Sequence, residues 1–198
     1  MADLKLDSAL AGMALPDGRS FSLSENGTAS RLVFRSGEIA REQAGEALGL
    51  ALPQEACTSA QRAGVAALWL GPDEWLLLLP EPDGGALRQA LATALVDVAH
   101  SIVDVSHRET ELVIRGDRRA RVLNAGCPLD LAEDTFPPGM CTRTLFGKAQ
   151  VVLWRDEPRR FRLFVARSFA RFVCGLLIEA AGGWDAGAEG CPPSATPV

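Results

Sequence analysis

Asp104, Ser106 and His107 bring the side chains of a hydrolytic triad into one short stretch of sequence. The stretch lies at the end of an expected strand, where successive side chains alternate between faces. Asp104 and Ser106 therefore share a face, and His107 points away. A working triad needs its imidazole between the other two groups. We interpret the stretch as a turn in which Asp104 and Ser106 form local hydrogen bonds, and we assign no catalytic residue.

The sequence gives equally little support for a metal site. The two histidines are His100 and His107, and no two of the five cysteines lie two to four positions apart. A zinc site would therefore need ligands scattered along the chain. The nineteen glycines form no G-x-G-x-x-G pattern, and Gly147-Lys148 lacks the flanking residues of a phosphate-binding loop. We expect no metal ligand and no cofactor-binding residue in this chain.

Two cysteines, Cys127 and Cys141, fall at the edges of expected loops and strands. Arg143 lies close to Cys141 in the sequence, and a neighbouring cation lowers a thiol pKa. The first interpretation is that they are reactive thiols. The second, which we favour, is that they are small buried hydrophobic residues, the commoner fate of a free cysteine.

Charge is distributed unevenly along the chain. Overall, 20 Lys and Arg face 25 Asp and Glu, a balance that argues against nucleic-acid binding. Between residues 141 and 175, however, eight cations face two carboxylates. This segment forms either ordinary solvated faces or an electropositive surface that docks an acidic partner. The candidate docking residues are Arg155, Arg159, Arg160 and Arg162.

No segment resembles a sorting signal or a membrane span. The apolar residues near the start are interrupted by charges, unlike those of a signal peptide. The longest apolar run, 63–71, is far shorter than the roughly 20 residues that cross a bilayer. An odd number of cysteines fits reduced thiols better than a disulfide framework. We expect a cytoplasmic protein that is not bound to a membrane.

Hydrophobic patterning predicts an α+β fold with mixed or antiparallel sheets and packed helices. Turn residues and periodicity divide the chain into a single domain, 29–183, preceded by an N-terminal arm, 1–28, and followed by a flexible tail, 184–198. Two sub-lobes, about 29–100 and 101–183, are an open possibility. The expected strands are 31–35, 65–70, 74–79, 101–105, 110–115, 141–146, 149–154 and 161–165, and the expected helices are 37–48, 84–99, 118–125 and one from 168 onward.

Several segments, in order, resemble the gamma subunit of heterotetrameric sarcosine oxidase over roughly residues 30 to 180. The most specific is Leu68-Trp-Leu-Gly-Pro-Asp-Glu-Trp-Leu76. The others are Val103-Asp-Val-Ser-His-Arg108, Asn124-Ala-Gly-Cys-Pro-Leu-Asp-Leu131, Phe136-Pro-Pro-Gly, Cys141-Thr-Arg-Thr and Ala166-Arg-Ser-Phe-Ala-Arg. The resemblance implies a trimmed version of the folate-binding domain of the glycine-cleavage aminomethyltransferase.

That related enzyme keeps an aspartate beside the folate, on the strand after its Cys/Thr-x-Thr segment. The corresponding stretch here, Leu145-Phe-Gly-Lys-Ala-Gln-Val-Val-Leu-Trp154, has no carboxylate. A site that stabilises a cationic one-carbon iminium, or accepts its proton, needs an anion there. We therefore transfer no folate-binding or catalytic role to any residue of this chain.

The resemblance also implies a complex, an oxidoreductase of one-carbon metabolism and sarcosine catabolism. It oxidatively demethylates sarcosine to glycine, with hydrogen peroxide and formaldehyde or methylenetetrahydrofolate as the other products. In such a flavoprotein complex FAD, FMN, NAD and tetrahydrofolate belong to partner subunits (alpha, beta and delta). The gamma chain is then structural and inactive alone. Three alternatives remain: a stand-alone folate-binding or aminomethyl-transfer protein, a small subunit of a related complex that oxidises another N-methyl amino acid, and a regulatory binding module.

Overall fold

The computed structural model describes residues 7–26 and 29–188, and the strands and helices below are those of these residues. The strands are β1 (Ser22–Asn26), β2 (Ser30–Ser36), β3 (Ser59–Arg62), β4 (Val65–Gly71), β5 (Glu74–Leu79), β6 (His100–Asp104), β7 (Glu109–Arg115), β8 (Cys141–Phe146), β9 (Ala149–Glu157) and β10 (Arg160–Ala166). The helices are α1 (Glu38–Leu48), α2 (Gly84–Ala94), α3 (Arg119–Asn124) and α4 (Arg167–Ala188).

The strands form two five-stranded sheets. We call the sheet with strand order β3-β4-β5-β2-β6 the β2 sheet, and the sheet with order β1-β7-β10-β9-β8 the β9 sheet. Every pairing within them is antiparallel. The predicted α+β class with antiparallel sheets and packed helices is therefore confirmed.

The two sheets face each other between two helical layers. On β5, Leu77 and Leu79 pack under α1 and α2, whereas Leu76 and Leu78 point into the layer between the sheets. Strand alternation sends neighbouring leucines to opposite faces, which explains why this strand is apolar throughout. The β9 sheet buries its other face against α3 and α4, around residues such as Leu163 and Val173.

The N-terminal segment is more ordered than we expected of an arm. Residues 22–26 form β1, which pairs with β7 at the edge of the β9 sheet. Leu10, Phe21 and Leu23 are buried in the core of that sheet. The arm prediction is wrong for these residues because burial of three large apolar side chains supplies the stabilisation that their local sequence lacks. Residues 1–6 and 27–28, also part of that prediction, lie outside the described residues.

The structure differs from the sequence prediction at three further boundaries. The possible sub-lobes 29–100 and 101–183 do not match the sheets, because β6 completes the β2 sheet and β1 joins the other one. Helix α2 ends at Ala94 rather than 99, and β3 lies in a stretch that we expected to be loop. The last helix continues to Ala188, into the expected tail, and residues 189–198 lie outside the described residues.

Candidate functional site

The Asp104–His107 corner contains the local hydrogen bonds predicted for it. The backbone N–H of Ser106 donates to Asp104 Oδ1 at 2.9 Å, and Arg88 Nη1 donates to Asp104 Oδ2 at 2.7 Å. Burial raises the pKa of Asp104, but these hydrogen bonds and the charge of Arg88 outweigh it, so the net shift is downward. Ser106 Oγ in turn accepts from the backbone N–H of Arg31 at 2.9 Å. The corner thus ties β2 to the loop after β6, and His107 is exposed.

Both cysteines singled out in the sequence are buried. Cys141 Sγ donates to the carbonyl of Thr58 at 3.2 Å and lies 3.5 Å from that of Trp69. Burial raises the pKa of the Cys141 thiol to about 12, so the effect expected from Arg143 is absent. The guanidinium of Arg143 instead binds Glu74. Of the two interpretations, that of small buried hydrophobic residues is the one the structure confirms.

The four candidate docking arginines do not form one exposed surface. Arg155 is only 1% exposed. Its Nη1 donates to the carbonyl of Phe136 at 2.9 Å, and its Nη2 donates to that of Pro158 at 2.7 Å and lies 3.3 Å from Glu133. The prediction is wrong for Arg155 because this side chain holds the Pro-rich loop before β8. Arg159 is exposed and pairs with Asp117.

Arg160 and Arg162 belong to a buried group of charges that we call the interlayer ion cluster, with Arg31, Glu111 and Asp156. Arg162 donates to both oxygens of Glu111, at 2.6 and 2.9 Å, and Glu111 is fully buried. Arg31 Nη1, on β2, lies 4.0 Å from the same carboxylate. Arg160 makes a bidentate pair with Asp156 at 2.8–2.9 Å. The cluster therefore joins the two sheets and sets three arginines against the two buried carboxylates of Glu111 and Asp156.

Sequence reasoning missed the interlayer ion cluster because its partners are distant in the chain. Glu111 precedes the Arg162 that it binds by 51 positions. One signal was nevertheless present. Glu111 stands in the otherwise uncharged run Thr110-Glu-Leu-Val-Ile114, and a charge in a buried strand needs a partner of opposite sign. This rule alone does not identify the arginine that pairs with Glu111.

A cavity of about 280 Å³ opens between the sheets where β7 begins and β10 ends, and we call it the interlayer groove. Val33, Val152, Phe164 and Phe169 form its apolar walls, and Arg108, Glu109 and Arg143 supply its charges. Burial raises the pKa of Glu109, and the nearby arginines offset only part of this effect. The groove thus has apolar walls and one carboxylate whose pKa is raised.

The groove contains part of the stretch 145–154, whose lack of a carboxylate argued against a folate site. Gln150, Val151 and Val152 line it, and its carboxylate, Glu109, comes from β7 instead. Three other cavities are less enclosed. They are a cleft of about 460 Å³ between α1 and residues 49–54, a cleft of about 290 Å³ between residues 16–21 and α4, and a polar cleft of about 190 Å³ at the Asp104–His107 corner. We therefore take the interlayer groove as the candidate functional site.

The described residues contain neither a group of metal ligands nor a membrane-spanning helix. Residues 7–26 and 29–188 contain no group of three or more His, Cys, Asp or Glu side chains placed to hold a metal ion. Within the same part of the chain, every helix is too short or too polar to cross a bilayer.

Comparison with known proteins gives one consistent result. The model of the sarcosine oxidase, gamma subunit family matches residues 38–183. The chain is 34% identical to a sarcosine oxidase subunit gamma from Corynebacterium sp. (strain P-1) over 68% of this chain and 66% of that protein. It is 30% identical to the subunit gamma from Corynebacterium sp. (strain U-96), over 88% and 86% respectively.

Solved structures agree with the sequence comparison. A chain of the heterotetrameric sarcosine oxidase from Corynebacterium sp. U-96, in complex with pyrrole 2-carboxylate, superposes with a TM-score of 0.83 at 28% identity, covering 98% of both chains. The glycine cleavage system aminomethyltransferase T from Bartonella henselae superposes with a TM-score of 0.64 at 14% identity, over 80% of this chain and 45% of that one. The second likeness, at 14% identity, is evidence for the fold alone.

Proposed function

Because the chain belongs to the sarcosine oxidase gamma subunit family, we propose that it is a non-catalytic structural subunit of a heterotetrameric sarcosine oxidase. One observation carries this proposal most directly: the fold matches a chain of a heterotetrameric sarcosine oxidase over 98% of both chains. The match therefore extends over nearly all of the fold described above.

The proposed complex oxidatively demethylates sarcosine to glycine, with hydrogen peroxide and formaldehyde or methylenetetrahydrofolate as the other products. We assign FAD, FMN, NAD and tetrahydrofolate to the alpha, beta and delta partner subunits. In this proposal the complex is cytoplasmic, and the present chain contributes no step of the chemistry. Its role is to pack on its partners and keep them in their arrangement.

The charged groups of the structure support a structural role. Asp104, the acid of the triad-like stretch, is held by Arg88 and Ser106. Glu111 is held by Arg162, and Cys141 is a buried thiol with a raised pKa. Side chains that make strong internal contacts stabilise the fold and are poorly placed to exchange protons with a substrate.

The competing function is stand-alone folate binding or aminomethyl transfer, and one observation favours it. Glu109 places a carboxylate with a raised pKa in the interlayer groove, and such a group can hold or accept a proton. Against it, Glu109 does not lie on the stretch 145–154, where the related enzyme keeps its aspartate. A small subunit of a complex that oxidises another N-methyl amino acid would share this structural role.

Purification of the chain expressed alone separates the two functions. We expect the purified chain to be colourless, to oxidise no sarcosine and to give no heat of binding with tetrahydrofolate in calorimetry. Flavin absorbance that copurifies with it would refute the structural proposal. Saturable binding of tetrahydrofolate, lost in Glu109→Gln, would favour the competing function. Asp117→Asn, at an exposed ion pair beyond the opposite end of β7 from Glu109, is the control variant.

A further inference from the structure

The exposed apolar side chains of the molecule concentrate around the interlayer groove. Among the described residues, five large apolar side chains are exposed: Ile39, Val96, Val103, Leu145 and Phe169. Phe169 lines the groove directly, and Leu145 pairs with Gln150, which also lines it. Val103 pairs with Val33, so these two side chains stand side by side on the face of the β2 sheet that bounds the groove. Three of the five therefore surround one cavity.

Solvent exposure on the inner face of the β9 sheet rises toward the groove. One row of this face, with Val152 and Phe164, is covered and almost inaccessible to solvent. The next row is more exposed to solvent and includes Leu145 opposite Gln150 and Ala166 opposite Glu109. Leu145 shares the face of the buried Cys141 because the two are four positions apart on one strand. The interlayer core is thus continuous with an exposed apolar surface, a feature of interaction sites.

The rim of the groove is electropositive. Arg108 is exposed and lines one end of the groove, where its backbone carbonyl accepts from the N–H of the first residue of α4 at 3.0 Å. Arg143, on the opposite side, shares Glu74 with Arg35. Glu109 is the one carboxylate among the lining residues, against the two arginines Arg108 and Arg143.

We propose that the interlayer groove docks a segment of a partner subunit that inserts an apolar side chain between Leu145 and Phe169 and sets a carboxylate against Arg108. This proposal rests on the proposed function, since it names the surface by which the chain joins the heterotetramer. It differs from the docking surface expected from sequence, because Arg155, Arg160 and Arg162 bind buried partners within the fold and the exposed Arg159 pairs with Asp117. An apolar anchor beside a charge pair is the usual composition of an interface centre.

The test uses the complex formed when this chain, carrying an affinity tag, is co-expressed with its partner subunits. Leu145→Asp and Phe169→Asp place a charge in the proposed contact. Ile39→Asp and Val96→Asp make the same change at exposed apolar residues away from the groove, and they serve as matched controls. All four positions are exposed and Phe169 lies in the first turn of α4, where an acidic residue is tolerated, so the fold should persist. Thermal unfolding of each isolated chain verifies this.

The readout is the dissociation constant of the tagged chain from its complex, measured by native mass spectrometry over a dilution series. We expect Leu145→Asp and Phe169→Asp to weaken assembly by about tenfold or more, as loss of an interface anchor does, and the controls by less than about twofold. Arg108→Glu should weaken it more at low salt than at high salt.

Each other outcome overturns a specific statement. Unchanged assembly of both groove variants, or a loss confined to Ile39→Asp and Val96→Asp, overturns the groove as the docking site while the proposed function stands. Self-association of the wild-type chain that Leu145→Asp abolishes would mean that a second copy occupies the groove, and it would also overturn the inference. A wild-type chain that joins no complex refutes the proposed function itself.

Discussion

The interlayer ion cluster yields the most quantitative prediction, through replacement of its central carboxylate. Glu111→Gln keeps the shape of the side chain and removes the charge that Arg162 binds at 2.6 and 2.9 Å. Arg31, 98% buried at the side chain, then also loses the nearby carboxylate. Breaking a buried ion pair by removing one partner costs about 3–5 kcal/mol, because a charge stays buried without compensation. For a chain of this length that corresponds to a fall in Tm of roughly 6–20 °C.

The assay is urea and thermal unfolding of the isolated full chain, followed by tryptophan fluorescence. Trp154 is a suitable probe because its ring lies 4.8 Å from the guanidinium carbon of Arg162. Asp117→Asn is the control, because it breaks an Arg–carboxylate pair in which both side chains are more than 60% exposed. Exposed pairs of this kind contribute less than about 1 kcal/mol, so the control variant should unfold almost like the wild type.

A double variant distinguishes loss of charge compensation from loss of packing. Glu111→Leu with Arg162→Met removes two of the opposed charges together, and replacing a buried pair by apolar residues is often close to neutral. The recovery should be partial, because Arg31 remains buried beside the new apolar side chains. The reasoning is refuted if Glu111→Gln destabilises the chain by no more than Asp117→Asn does. It is equally refuted if the double variant is less stable than Glu111→Gln.

Three further predictions concern single residues. Cys141 should resist alkylation at pH 8 in the folded chain, because burial raises its pKa to about 12, and peptide mass spectrometry after brief labelling will measure this. Gly116→Ala should destabilise the chain, since φ is +103° and a Cβ would lie 2.4 Å from the carbonyl oxygen of Ser20. Its control is Gly85→Ala, in open space on α2, which should stabilise the chain by about 0.5–1 kcal/mol in urea unfolding. Glu109→Gln should stabilise the chain at pH 7, and the gain should disappear as the pH falls below about 4.5.

The sign of the pH effect follows from proton binding. The folded-state pKa of Glu109 is raised, so the folded chain holds this proton at pH values where the unfolded chain has released it. The contribution of Glu109 to the stability of the wild type is therefore greatest below its unfolded-state pKa of about 4.5. It falls as the pH rises from that pKa to the higher folded-state pKa. A constant difference between wild type and Glu109→Gln at all pH values would contradict this. Labelling of Cys141 at the rate of an unfolded control would contradict its burial.

Local patterns predicted most of the elements, because their signals lie within a few residues. The turn Gly71-Pro-Asp73 correctly separates β4 from β5, and Gly49 ends α1 with φ +62°, the left-handed cap expected there. The first apolar residues were harder to place. Leu10, Phe21 and Leu23 are stabilised by a sheet formed mainly from residues after 109, and no local pattern reveals so distant a partner.

The candidate site was predictable only in part, for the same reason. A count of cations between residues 141 and 175 finds the arginines but not the carboxylates that neutralise them, since Glu111 lies on a strand outside that segment. The sequence also does not show how far one sheet extends beyond another. Cys141 and Leu145 illustrate this: they share one face of β8 and lie four residues apart, yet Cys141 is buried and Leu145 is exposed.

One experiment tests the proposal that the chain is a cofactor-free subunit of a sarcosine-oxidising complex. The tagged chain is co-expressed with candidate alpha, beta and delta subunits, and the purified material is examined by native mass spectrometry, absorbance and sarcosine oxidation. We expect a yellow heterotetramer that contains one copy of the chain and oxidises sarcosine. A colourless chain that elutes alone, although its candidate partners are well expressed, would contradict the proposed function.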